Sequence, residues 1–156
     1  MQSQTNTTHQ NAIKILEADH KVVNALFKQY EKATSNSVKK DVVTKICSEL
    51  TVHAKVEEEI FYPKVKAALK DSELIPEATV EHATLKSLIA QVDGKEPDGE
   101  IFDAKIKVLS EYVSHHVKEE EGEMFPKAEK TKLDMDKIGV EILERKEQLK
   151  KVNKAK

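Results

Sequence analysis

The 156-residue chain has no tryptophan, one cysteine, four glycines and four prolines. A lone cysteine cannot build an intrachain disulfide framework, and a reducing cytoplasm is the simplest compartment for such a chain. No apolar stretch approaches the ~18 residues that a membrane span needs. Neither sign of charge is in excess: 26 basic and 28 acidic residues are interspersed for a net −2. Such a balance supplies no field for nucleic acid or for a membrane surface, so neither partner is expected. The first residues carry neither a basic start nor an apolar run, so no secretory signal is visible. What the composition does hold is Glu, Lys, Ala and Leu, the vocabulary of helices, in a length that suits one domain with a real core.

Apolar residues recur in steps of three and four, the period of amphipathic helices. A polar, aperiodic tail occupies 1–10, and His9 within it reads as solvated. From Asn11 a first helix carries Ile13, Leu16, Val23, Phe27 and Tyr30, with His20 filling the step between Leu16 and Val23. It ends in Ala-Thr-Ser-Asn-Ser, residues that compete with helical hydrogen bonding. A second helix, about 38–70, carries Val43, Ile46, Leu50, His53, Glu57 and Ile60. Pro63 removes a hydrogen bond to the Glu59 carbonyl and is expected to kink or thin it. A third helix over about 77–92 carries Ala78, His82, Leu85, Ile89 and Val92, with Pro76 suited to a first turn. A fourth over about 100–130 aligns Phe102, Ile106, Leu109, Val113, His116, Glu120 and Met124. The domain is therefore placed at 11–130. Residues 131–156 read as a short, charged C-terminal helix and tail, packed outside or fraying, whose Lys150, Lys151, Lys154 and Lys156 are expected in solvent. Short connectors favour antiparallel neighbours, so the expected fold is all-α: an antiparallel up-down-up-down four-helix bundle with that extra helix.

The chain also repeats itself. His53-Ala-Lys-Val-Glu57-Glu-Glu-Ile-Phe-Tyr-Pro63 returns as His116-Val-Lys-Glu-Glu120-Glu-Gly-Glu-Met-Phe-Pro126, and Asp19-His20 returns as Glu81-His82. Six ionisable residues, His20, His53, Glu57, His82, His116 and Glu120, fall on the core-facing stripes. Burying a carboxylate without a partner costs several kcal/mol, and no Lys or Arg shares these stripes to neutralise Glu57 and Glu120. A cation answers that need. Residues four apart lie one turn apart on one face, so each His-x-x-x-Glu presents two ligands, and His20 and His82 add one each. Imidazole and carboxylate without thiolate suit Fe, Mn or Zn. Six ligands exceed one tetrahedral zinc and fit two metals that share carboxylates.

With these elements in this order over residues 20–126, the sequence resembles the hemerythrin-like, HHE cation-binding family. The resemblance implies two iron ions: His20 and His53 on one, His82 and His116 on the other. Glu57 and Glu120 would bridge them, with an oxo, hydroxo or water bridge completing the core. It implies a small ligand such as O2, peroxide or NO, and no protein partner. Asp19 and Glu81 are candidates for accepting a hydrogen bond from the outer nitrogen of a ligand imidazole. Glu58, Glu59, Glu121 and Glu123 read as solvated, with Glu58 alone placed to approach the metals.

Two features depart from the oxygen-carrying members. Lys86 stands where they place a further histidine, and Glu120 follows His116 by four where they space His and Asp by five. His115 with Glu120 would restore that spacing, while the stripe and the repeat choose His116. The missing histidine leaves a position for water, peroxide or another small ligand. Three readings stay open: binding or sensing of oxygen or a related diatomic, decomposition of hydrogen peroxide by a di-iron enzyme, and an iron-handling module. Cys47 reads as a partly buried, inert thiol.

Overall fold

In the computed structural model, which describes residues 11–70 and 72–155, the chain is a helical bundle without strands among those residues. The expected tail at 1–10, with His9, lies outside the described residues, as do the side chains of Lys154 and Lys156. Helix α1 is Ala12–Lys32, opened by the Asn11 side chain, which accepts from the Ile13 and Lys14 amides. Helix α2, Asn36–Val56, is opened in the same way by Ser35, whose hydroxyl accepts from Val38. Each such cap satisfies amides that the helix itself cannot, for about 1 kcal/mol.

At Glu57 the second helix does not break. It widens through a π-helical segment, Glu57–Phe61, and continues as α3, Tyr62–Ala68. The Tyr62 amide donates to the Glu57 carbonyl, five residues back. The extra residue in the wide turn carries Pro63 into the first turn of α3, where its missing N–H is not needed. At Pro63, where a kink or thinning is expected, the helix changes register. The same construction recurs downstream. Helix α4, Leu74–Val92, leads through a break to α5, Glu100–Glu119. Gly99 opens α5 at φ 116°, backbone that a side chain resists. A second π segment, Glu120–Met124, then passes into α6, Phe125–Glu129, with Pro126 in its first turn.

Helix α1 packs on α2 and α4 packs on α5, the two halves that the repeat implies. The last helix departs from expectation in length. Helix α7 runs Met135–Ala155, 21 residues, and lies along α1 and α2. Met135, Ile138 and Ile142 give it a buried stripe, and Arg145 clamps Glu59 with two hydrogen bonds of 2.7 and 3.2 Å.

The apolar core is divided in two. One cluster gathers Leu16, Val56, Phe61, Val65, Ala78, Phe125 and the buried face of α7. The other gathers Val23, Phe27, Ile46, Leu50, Leu85 and Leu109. Between them, one step along every main helix, lies a polar layer.

Candidate metal centre

The polar layer consists of His20 between Leu16 and Val23, His53 and Glu57 around Val56, His82 between Ala78 and Leu85, and His116 and Glu120 above Met124. All six are buried, Glu57 at 0% and Glu120 at 1% exposure. Their ligating atoms form two groups that share both glutamates: His20, His53, Glu57 and Glu120, and Glu57, His82, His116 and Glu120. In each group the atoms lie within 4.8 Å of one another. His115 stays outside, 65% exposed and 3.2 Å from Glu119. The internal repeat, rather than the five-residue spacing, describes what the fold brings together.

His20, His53, His82 and His116 all turn Nε2 inward. His20 Nε2 lies 3.1 Å from Glu120 Oε1 and His116 Nε2 3.4 Å from its Oε2. His53 Nε2 lies 3.3 Å from Glu57 Oε2 and His82 Nε2 3.2 Å from its Oε1. Each glutamate therefore offers one oxygen to each group, the arrangement that a shared, bridging carboxylate needs. His82 and His116 also bring their Nε2 atoms to 3.2 Å.

The Nδ1 of each of these four turns outward onto a carboxylate. His53 meets Asp19 at 2.8 Å and His116 meets Glu81 at 2.6 Å, each within its own half of the repeat. His82 meets Glu58 at 2.7 Å and His20 meets Glu121 at 2.7 Å, each across the halves. An acceptor on Nδ1 holds the proton there, so that Nε2 is the nitrogen whose lone pair a metal would take in exchange for its proton, and raises its basicity. Glu121 is thus not the solvated residue the sequence suggested. Glu58 approaches the His82 imidazole rather than the centre itself, and carries Lys86 at 2.8 Å on its other oxygen. Behind Asp19 a further cation, Lys146 of α7, closes on Oδ1.

One inner residue escaped the sequence reading. The phenol of Tyr62 donates to Glu57 Oε1 at 3.1 Å and to Glu120 Oε2, and lies 3.2 Å from His82 Nε2 and 3.3 Å from His116 Nε2. It follows Glu57 by five, one beyond the helical rhythm, because the π turn intervenes. Ile60, expected on the stripe, is only half-buried, while Phe61 and Tyr62 take the interior. The proline shared by the two copies was the available signal, since a wide turn lets a helix pass such a residue.

The charges interlock. Burial opposes protonation of His53, yet Glu57 and Asp19 outweigh it and hold its pKa well above the ordinary value. Burial likewise opposes His116, but Glu120, Glu57 and Glu81 push it up to about 9. Burial favours a neutral Glu120, and hydrogen bonds from His116 and His20 overcome it, holding the carboxyl well below its usual range. Burial, Glu57 and Glu120 keep the Tyr62 phenol protonated well past its ordinary pKa. Away from the centre, burial pushes the Cys47 thiol up to about 12, which makes it inert.

These contacts leave a remainder. His53 Nε2 and Glu57 Oε2 are buried without a hydrogen-bond partner among the described residues, because their 3.3 Å approach is not aligned for one. An orphaned imidazole nitrogen and carboxylate oxygen, aimed at the same point, are donor atoms for a cation. The residues fit a metal.

Fold and site define a cation-binding helical domain, and the chain belongs to the hemerythrin HHE cation binding domain family, whose model matches residues 11–128. Its buried His/Glu clusters are able to hold metal. Among solved structures, it is similar to a hemerythrin HHE cation binding domain-containing protein from Mycobacterium kansasii, with TM-score 0.77 and 22% identity over 89% of this chain and 86% of that one. Identity that low speaks for the fold. Among characterised proteins, it is 28% identical over 115 residues to a DNA nickase of Nostoc sp.. That match covers 74% of this chain but 32% of the relative, so the chain spans about a third of that protein's length.

Proposed function

We propose that this protein holds two iron ions bridged by Glu57 and Glu120, and that it binds or senses oxygen or a related small ligand there. His20 and His53 would hold one iron, and His82 and His116 the other. The observation that carries this reading is the sharing of both buried glutamates between two histidine pairs. A single-metal site has no use for that symmetry. Bound iron would supply open coordination and redox chemistry for a diatomic ligand or peroxide. The chain supplies the rest: four imidazoles fixed by outer carboxylates, two bridging carboxylates, and apolar clusters that keep bulk water from the layer. The reading includes no DNA role, since the net charge is −2 and the match to the nickase leaves most of that relative uncovered.

Peroxide decomposition is the second reading, and one feature favours it. A cavity of about 300 Å3 between α1 and α5 is lined by His20 and Glu121 together with Asn24, Ser110 and Ser114. Glu121, with a side chain 40% exposed, can exchange protons between the layer and solvent, which turnover needs and reversible binding does not. Titration of the iron-loaded protein with oxygen and then with hydrogen peroxide separates the two. A reversible colour change supports binding, and sustained gas evolution supports turnover.

A further inference from the structure

The two halves of the layer carry the same inner histidines and glutamates and differ in the residue that follows each glutamate by five. Five residues after Glu57 stands Tyr62, and five residues after Glu120 stands Phe125. Both are buried, both follow a π segment, and both precede a proline. Phe125 lies parallel to the His20 ring with centroids 6.0 Å apart and offers no donor atom. Tyr62 places its oxygen among four of the inner donor atoms, within 3.3 Å of both His82 and His116 Nε2. An atom that near to two imidazole nitrogens and two carboxylate oxygens lies where those four would coordinate.

From this we infer that Tyr62 is an additional protein ligand, through Oη, to the iron held by His82 and His116. The exogenous small ligand is thereby directed to the iron of His20 and His53. The inference rests on the di-iron reading above. On ligation the Oη–H bond breaks and an Oη–Fe bond forms. The proton leaves to solvent water and the iron keeps its oxidation state. Phenolate is a hard anionic oxygen donor, suited to ferric iron.

The surface relief agrees with this division. Three depressions approach the layer; the one between α4 and α5, which meets His116 and Glu120, holds only about 10 Å3, the room of a single water. The one between α1 and α5 reaches His20 itself. The third, between α3 and α4, is lined by Glu58, Tyr62, Pro63, Ile75 and Thr79. His82 is not among its lining residues, and the Tyr62 ring, 5.2 Å from the His82 ring, stands between that depression and the layer. Of the two larger approaches, Tyr62 closes one and the other ends on a histidine.

The experiment is resonance Raman spectroscopy of the iron-loaded full chain under visible excitation, before and after adding azide, on the wild type and on Tyr62→Phe. The wild type is expected to show phenolate ring modes that survive azide, and Tyr62→Phe is expected to lose them while keeping its iron. Iron-loaded wild type without phenolate modes would overturn the ligation. Loss of those modes on azide addition would overturn the assignment of the small ligand to the other iron. A chain that takes up no iron would instead overturn the di-iron reading itself.

Discussion

Glu121 accepts from His20 Nδ1 at 2.7 Å, and the two residues come from opposite halves of the repeat. Its counterpart, Glu58 on His82, crosses in the other direction. Each half therefore orients a histidine of the other, and the layer is complete only when both halves are folded together. Removing such an outer acceptor typically costs 10–100-fold in metal affinity. Glu121→Gln is expected to weaken iron binding by about 10-fold at the low end of that range, because the residue is partly exposed. Competition against a chelator of known affinity measures this, and an unchanged constant would make Glu121 a bystander.

Glu57 serves both groups, so under the proposed di-iron reading its loss would reach both metals. Glu57→Ala is expected to take up less than half of the wild-type iron. Any ligand that binds only the folded chain stabilises it by mass action. The rise in Tm that iron gives the wild type should therefore disappear in the variant. Retained iron with the full rise in Tm would remove Glu57 from the bridge.

The metal-free protein should respond to pH through its buried imidazoles. Folding raises the His116 pKa from 6.5 to about 9. The resulting stabilisation is complete below 6.5, where folded and unfolded forms are both protonated. It is lost as the pH rises through about 9, where the folded form also gives up its proton. Iron runs the opposite way, since only neutral imidazole ligates, and should be released on acidification. Thermal melts between pH 6 and 10 test the pair: metal-free Tm should fall with rising pH while iron retention improves. A metal-free Tm that rises over this interval would contradict the charge balance described for the layer.

Helix α7 reaches the centre through Lys146, which pairs with Asp19 behind His53. Both side chains are largely buried, and a hydrogen bond to a charged group is worth about 2 kcal/mol. Lys146→Met is expected to lose about that much in urea unfolding of the metal-free chain. Lys146→Arg should recover most of it. Equal stability of Lys146→Met and the wild type would leave α7 as a purely apolar cover.

The ligand stripes and the bundle could be read from the sequence because both rest on one period. His20, His53, Glu57, His82, His116 and Glu120 take apolar steps in a three-four rhythm, and the repeat supplies the pairing. Where the rhythm changes, legibility ends. The π turn after Glu57 advances the register by one residue, so Ile60 leaves the stripe and Tyr62 enters the centre unannounced. Glu121 was hidden differently: inside a run of glutamates, nothing local separates the one that turns to His20 from those that face water. The repeat held that information, since Glu58 and Glu121 occupy matching positions. The length of α7 was obscured by its charge, because the apolar side chains of Met135, Ile138 and Ile142 were enough to seat it.

The central claim is a pair of irons in this layer, and metal stoichiometry with absorption spectroscopy tests it most directly. The full chain, expressed with ample iron and purified in air, should carry about two irons per chain, as the shared carboxylates require. It should also show intense near-ultraviolet ligand-to-iron absorption. One zinc per chain, or no metal after iron-replete expression, would contradict the account.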